Sequence, residues 1–169
     1  MLTKLKLELN MAVFTTPDLY DEYGDTLQVM QHGLSHFGKS RYMKGQAVII
    51  RCPEDNSLVG EFLRQPGDNK VLIVDAQGSK SFAFLGDNLA ISAIKNQWSG
   101  IIVNGCVRDV EILKTLPFCV MALGYVPRKT KKQSLGSVLS SLTLLGAEVS
   151  EGDWVYADEN GVVISKMEI

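Results

Sequence analysis

The segment Val71-Leu72-Ile73-Val74-Asp75 is an unbroken apolar run closed by an acid, as expected of a strand buried on both faces. Gly78 and a connecting stretch follow. Gly86-Asp87-Asn88-Leu89 then opens a helix that sets Leu89, Ala90, Ala93, Ile94 and Trp98 on one apolar stripe. Gly100 closes that helix and begins a second buried strand, Gly100 to Val103, after which Asn104-Gly105 predicts a turn. Val110 to Leu116 has the pattern of a short helix stopped by Pro117, and Cys119 to Ala122 that of a third strand. Strand, helix, strand, helix, strand with short links is the order of a parallel sheet with crossover connections.

Upstream, Thr16-Pro17-Asp18 carries a helix-start signal, with a hydroxyl cap, proline at the first helical position and an acid in the first turn; Gly24 ends the helix. Gln46 to Cys52 is a strand broken at Pro53-Glu54-Asp55-Asn56, and a helix through Leu58 to Leu63 stops near Pro66-Gly67. Downstream the pattern changes to short strands, Ala147 to Ser150, Trp154 to Ala157 and Val162 to Ser165. Gly152-Asp153 and Asp158-Glu159-Asn160-Gly161 supply the turns. The expectation is one α/β domain, a mixed sheet of βαβ units with a β-rich C-terminal cap.

The chain has 169 residues, a length that suits a single domain, and 46% of them are hydrophobic, enough to support a core. Seventeen Lys and Arg against 19 Asp and Glu leave a net charge of -2, which gives no general pull toward nucleic acid or an anionic membrane. Cys52, Cys106 and Cys119 form no CxxC pair, and the expectation is three reduced, buried thiols in a cytoplasmic protein. The alternating start from Met1 to Glu8 has no continuous apolar core, unlike a signal peptide, and no run is long enough for a membrane span.

In open parallel sheets, ligands sit beyond the carboxyl ends of the strands. Gly86-Asp87-Asn88-Leu89 would bring helix N-terminal amides to that edge, suited to a carboxylate or phosphate; the plain alternative is that Asp87 only caps its own helix. Arg108-Asp109 follows the second strand. It is either a structural ion pair or two residues with separate partners, Arg108 for a carboxylate or keto oxygen and Asp109 for a hard divalent cation. His32 and His36 have a spacing that can bind metal on a helix, but Gly33 lies between them and no further ligand is near. No Walker A or GxGxxG pattern supports a nucleotide cofactor.

Val74-Asp75, Gly78, Gly86-Asp87-Asn88-Leu89-Ala90 and Gly100 through Asp109 together resemble the core of the regulator of ribonuclease activity A (RraA) family, which includes the class II 4-hydroxy-4-methyl-2-oxoglutarate aldolases. Gly152 through Val163 resembles its second signature, and Thr16, Asp18 and Asp21 fit its N-terminal helix more loosely. The resemblance implies a swivelling-domain α/β fold and a ring-shaped homotrimer with sites near subunit interfaces. Members acting on ribonuclease E tend to lack an acid after the arginine, whereas the aldolases carry Arg-Asp, as this chain does. It therefore implies a 2-keto acid enzyme, an aldolase and oxaloacetate decarboxylase; the alternative is a non-catalytic inhibitor of ribonuclease E.

In that reading the amides of Gly86, Asp87, Asn88 and Leu89 hold a pyruvyl carboxylate, and Arg108 neutralises the enolate. Asp109 positions Mg²⁺ or Mn²⁺. Lys80 and Lys95 are solubilising. The sequence does not identify the general base: a cation-bound water is one candidate and Asp75 another, though a capping role suits Asp75 better. The family usually carries a small Gly, Ser or Thr loop after the third strand. This chain has Pro127-Arg128-Lys129-Thr130-Lys131-Lys132, either a solvated face or an attractor of an acidic substrate or polyanion.

Overall fold

The computed structural model describes residues 14–169; the alternating segment from Met1 to Glu8 lies outside them. Helix α1 (Thr16–Tyr23) leads through a 3-10 turn to the short strands β1 (Gln28–Val29) and β2 (Ser35–His36). Then come β3 (Met43–Arg51), α2 (Ser57–Leu63), β4 (Val71–Leu85), α3 (Asp87–Lys95), β5 (Gly100–Val107), α4 (Val110–Leu113) and β6 (Cys119–Tyr125). The chain finishes with β7 (Ser137–Leu139), β8 (Ser141–Leu144), β9 (Ala147–Ser150), β10 (Trp154–Asp158) and β11 (Gly161–Ser165).

Strands β3, β4, β5 and β6 run parallel in that order, as the βαβ pattern predicts, with Ile49 opposite Ile73, Ile73 opposite Ile102 and Ile102 opposite Met121. Side chains alternate across such strands. Ile50, Leu72, Val74, Ile101, Val103 and Val120 pack on the side of Val59, Leu63, Ala90, Ala93 and Leu113 from the helices. Ile49, Val71, Ile73, Ile102 and Met121 pack with Leu142, Leu144, Ala147 and Val149 of the β8–β9 hairpin. The apolar runs are continuous because both faces are covered.

The C-terminal strands only partly form a cap. β10 and β11 extend the main sheet, β10 pairing antiparallel with the first half of β3 and β11 with β10 and β1. Only β8 and β9 stand apart as a two-stranded unit. The predicted hairpin is present, with Asp158 opposite Gly161 across Glu159-Asn160.

Four local expectations change. The cap of α1 is Thr15, whose hydroxyl accepts from the Asp18 amide at 3.2 Å. Thr16 instead gives its amide and hydroxyl to the buried Asp158 carboxylate, both at 2.7 Å. Asn104-Gly105 does not turn the chain, because β5 runs through it to Val107. The connecting stretch after Asp75 is itself strand: β5 advances from Asn104 to Val107 while β4 advances from Asp75 to Leu85, bulging as it goes. Gly105 is the contact that permits this, since a Cβ there would lie 2.7 Å from the Ala76 methyl. Helix α3 stops at Lys95, before Gly100, where Gln97 takes φ +60°.

Cys52, Cys106 and Cys119 are free and buried, as the sequence predicts. No described helix is long and apolar enough to cross a membrane.

Candidate active site

The parallel strands deliver their following connections to one edge, and there a cavity of about 320 Å³ opens. Its walls include Asn56 from beyond β3, Leu85 to Leu89 at the β4–α3 junction, Arg108 and Asp109 after β5, and Lys129, Thr130 and Lys132 after β6. Every residue singled out at the Gly86–Leu89 and Arg108–Asp109 stretches is in that lining. Sequence reading singled out two of the four connections as site segments and left the basic run after β6 as either a solvated face or an attractor of an acidic ligand. The connection at Asn56 carries no motif of its own; the rule that parallel strands end at a common edge is the signal that would have added it.

The near wall is built on the N-terminus of α3. Gly86 caps the helix with ordinary extended backbone and no side-chain hydrogen bond. Asp87 does not cap its helix in the usual way: its Oδ1 accepts from the neighbouring Asn88 amide at 2.7 Å. The carboxylate reaching the helix end belongs to Asp109, whose Oδ2 accepts from the Asp87 amide at 3.2 Å. A Cβ on Gly86 would sit 2.5 Å from that oxygen, so glycine is needed there for proximity.

Of the two readings of Arg108-Asp109, the ion pair is the one the geometry shows: Arg108 Nε lies 3.6 Å from Asp109 Oδ2, and both side chains remain partly exposed to the cavity. The left-handed conformation of Asp109 (φ +58°, ψ +39°) produces this, turning its carboxylate back toward α3 and the arginine. Aspartate tolerates that region better than most side chains.

The far wall is cationic. The basic run after β6 is not a uniform solvated face: Arg128 stacks over the Phe82 ring at 5.8 Å, while Lys129 and Lys132 line the cavity. Arg64 joins them from the end of α2, its side chain lying back over Gly60, where a Cβ would be 2.9 Å from Nη1. The loop is tied down. Thr130 is buried, donating to Asn56 Oδ1 at 2.7 Å and accepting from the Asn56 amide at 3.2 Å. The Ala83 amide donates to the Arg128 carbonyl at 2.7 Å.

Asp55, fully buried, accepts from the amides of Ser57 and Gln133. Burial pushes its carboxyl up, but hydrogen bonds from Ser57, Gln133 and Leu135 outweigh that and hold it below the ordinary aspartate value.

Asp75 does not line the cavity. It is buried and engaged by Arg51 Nε and Asn104 Nδ2, each at 2.9 Å, and by the Gln77 amide, so it is a structural anchor rather than a base. His32 and His36 do not share a helix; His36 sits on β2 and bonds the Asp158 carbonyl through Nε2 at 2.8 Å.

Among the described residues no three His, Cys, Asp or Glu side chains gather as a ligand set. That is unlike a closed zinc-type centre. Asp109, beside Arg108 on the cavity wall, is a carboxylate that could hold an ion of the magnesium type, which takes only one or two carboxylates and keeps most of its waters.

The fold and site define a small mixed α/β protein with a polar, cation-rich cavity at the carboxyl edge of its parallel strands. The chain belongs to the RraA-like family, whose model, described as Aldolase/RraA, matches residues 16–164. It is 43% identical to a protein of Xanthomonas campestris pv. campestris (strain B100) over 90% of this chain and 91% of that one, and 45% identical to one of Pseudomonas entomophila (strain L48) over 92% and 95%. Both carry the name "Putative 4-hydroxy-4-methyl-2-oxoglutarate aldolase". The solved structure of the RNA-processing inhibitor RraA from Thermus thermophilis superposes with a TM-score of 0.88 at 36% identity, covering 92% of this chain and 94% of that one.

Proposed function

We propose that this protein is an aldolase of small 2-keto acids, cleaving 4-hydroxy-4-methyl-2-oxoglutarate to two pyruvates and decarboxylating oxaloacetate by the same electron flow. The observation that carries the reading is the meeting of Arg108, Asp109 and the α3 N-terminus in one cavity. Amides in the first turn of α3 receive the pyruvyl carboxylate, an interaction worth about 0.3–2 kcal/mol depending on burial. Arg108 places its guanidinium at the C2 oxygen. When the C4 hydroxyl loses its proton, the C3–C4 bond breaks and its electron pair moves to C3. The resulting negative charge on the C2 oxygen is neutralised by Arg108. C4 becomes the carbonyl carbon of the second pyruvate, and C3 takes a proton to give the first.

A divalent cation, Mg²⁺ or Mn²⁺, held through Asp109 supplies further positive charge when bound. Lys129 and Lys132 are exposed, unlike the desolvated amine that Schiff-base chemistry uses.

The test is pyruvate release from both substrates with Mg²⁺, Mn²⁺ or chelator, against the spontaneous background. Asp109→Asn is the variant of choice, because asparagine accepts a left-handed backbone that alanine resists. Turnover should require metal and fall on the order of 10²–10³-fold in Asp109→Asn. A wild-type rate equal to background sinks the aldolase reading and leaves the alternative, binding to ribonuclease E, to be tested directly. We also propose the ring-shaped homotrimer: exposed Ile112 and Tyr125 flank the Arg108–Asp109 segment, which suits a site beside a subunit interface. Sedimentation at three times the 18.6 kDa chain mass would support it, and a monomer would remove it.

A further inference from the structure

We infer that Ser134 is a phosphate-acceptor site for a protein kinase that reads basic residues, and that phosphate there weakens the positive wall of the cavity. The surrounding sequence is Lys131-Lys132-Gln133-Ser134-Leu135. Two cations precede the serine, three and two positions back, and an apolar side chain follows it. A kinase whose peptide groove carries acidic side chains pairs with such cations, and charge patterns of this kind set its choice of substrate. Lys131 and Lys132 have no acidic partner among the described residues. Leu135 is 45% exposed and belongs to none of the apolar clusters. Both lysines and the leucine are thus left for something outside the fold.

The segment can be presented. Residues 131–136 form neither helix nor strand, and every residue from 131 to 138 is exposed. The Ser134 hydroxyl makes no hydrogen bond among the described residues; only its amide is engaged, donating to Ser57 Oγ at 3.2 Å. Ser134 also holds a left-handed backbone, φ +55°, which is strained for serine. An extended conformation in a kinase groove relieves that strain. The relief offsets part of what is lost when the Gln133 and Ser134 amides leave Asp55 and Ser57 in a local opening.

In the transfer, Ser134 Oγ bonds the γ-phosphorus of ATP, the bond from that phosphorus to the bridging oxygen breaks, and ADP leaves. The hydroxyl proton passes to the carboxylate base of the kinase. The product carries about −1.5 to −2 charge at pH 7, with strong acceptor oxygens. It stands beside Lys131 and Lys132, and Lys132 lines the cavity. Charge-assisted bonds to the new dianion draw Lys132 away from that lining. The phosphate also follows Gln133 directly, whose amide the buried Asp55 carboxylate holds, and like-charge repulsion there loosens the loop. Only the consequence, a poorer hold on an anionic substrate, rests on the aldolase reading.

The test is incubation of the folded protein with Mg²⁺, ATP and the catalytic subunit of cyclic-AMP-dependent protein kinase, a basophilic enzyme, read by intact-mass and peptide mass spectrometry. The wild type should gain a single phosphate, located at Ser134. Ser134→Ala and Lys131→Ala/Lys132→Ala should gain none, and Ser137→Ala should gain it as the wild type does. No incorporation into the folded protein, even where a peptide of residues 127–139 accepts phosphate, overturns the site. So does incorporation that survives Ser134→Ala. On oxaloacetate the phosphorylated wild type should show a KM raised severalfold with kcat little changed, and Ser134→Ala carried through the same treatment should keep the untreated KM. Phosphate at Ser134 with an unmoved KM overturns the effect on the cavity. A protein that turns over neither keto acid before treatment discards the aldolase reading, and the phosphate count alone then upholds or overturns the site.

Discussion

Asp109 has to satisfy a helix end, an arginine and a left-handed backbone with one short side chain. Its neighbour across the gap, Gly86, is therefore as constrained as Asp109 itself. Gly86→Ala should displace the Asp109 carboxylate and cut pyruvate release about tenfold or more, while thermal melting shifts little because the backbone at Gly86 is ordinary for alanine. Asp158 is a contrasting buried acid. It accepts from the amide and hydroxyl of Thr16 and from the amide of Asn160, binding α1 to the β10–β11 turn. Asp158→Ala should cost about 2–3 kcal/mol in urea unfolding, because three buried or half-buried donors lose their acceptor. The cysteines should be inert. Burial pushes the Cys52 and Cys119 thiols up to about 12 and raises Cys106 as well, so thiolate is scarce at neutral pH. Alkylation of the native protein with iodoacetamide should therefore label none of them within minutes, and denaturation should expose all three.

The parallel core was legible because its strands, covered on both faces, read as short continuous apolar runs bounded by glycine, proline and asparagine, too short for buried helices. The stretch from Ala76 to Phe84 was not. Its glycine, serines and lysine look like a surface loop, and only the pairing of Ser79 with Gly105 and of Ala83 with Cys106 makes it strand. Asn104-Gly105 misled for a related reason. The pair has turn chemistry, but here the glycine makes room for Ala76 and the asparagine donates to Asp75. Gly105→Ala should therefore destabilise by about 1–3 kcal/mol, the usual cost of overpacking, and should lower activity through the shifted approach to Gly86. Denaturant unfolding with parallel assays checks both. The candidate site was half legible: a helix start and an Arg-Asp pair have local signatures, the basic run was visible but open to two readings, and Asn56 and Arg64 acquire meaning only where the connections converge.

At the scale of the molecule, the sheet holds the chemistry and a loop-to-loop seam holds the far wall. The seam depends on an ionised Asp55. Because its folded value lies below the ordinary aspartate value, its stabilising contribution is complete above about pH 4 and is lost as pH falls through the lowered value. Protection of the Gln133 and Leu135 amides against hydrogen exchange should therefore be constant above that range and be lost on acidification below it, ahead of the central strands; Asp55→Asn should remove the protection at neutral pH. The buried Thr130 between two exposed lysines has a consequence of its own. Threonine fixes the path of the loop, so the residues on either side can be exchanged without disturbing it. The charge of the cavity's far wall can therefore be changed at Lys129 or Lys132 alone, with the loop's path and the positions of Arg108 and Asp109 left as they are.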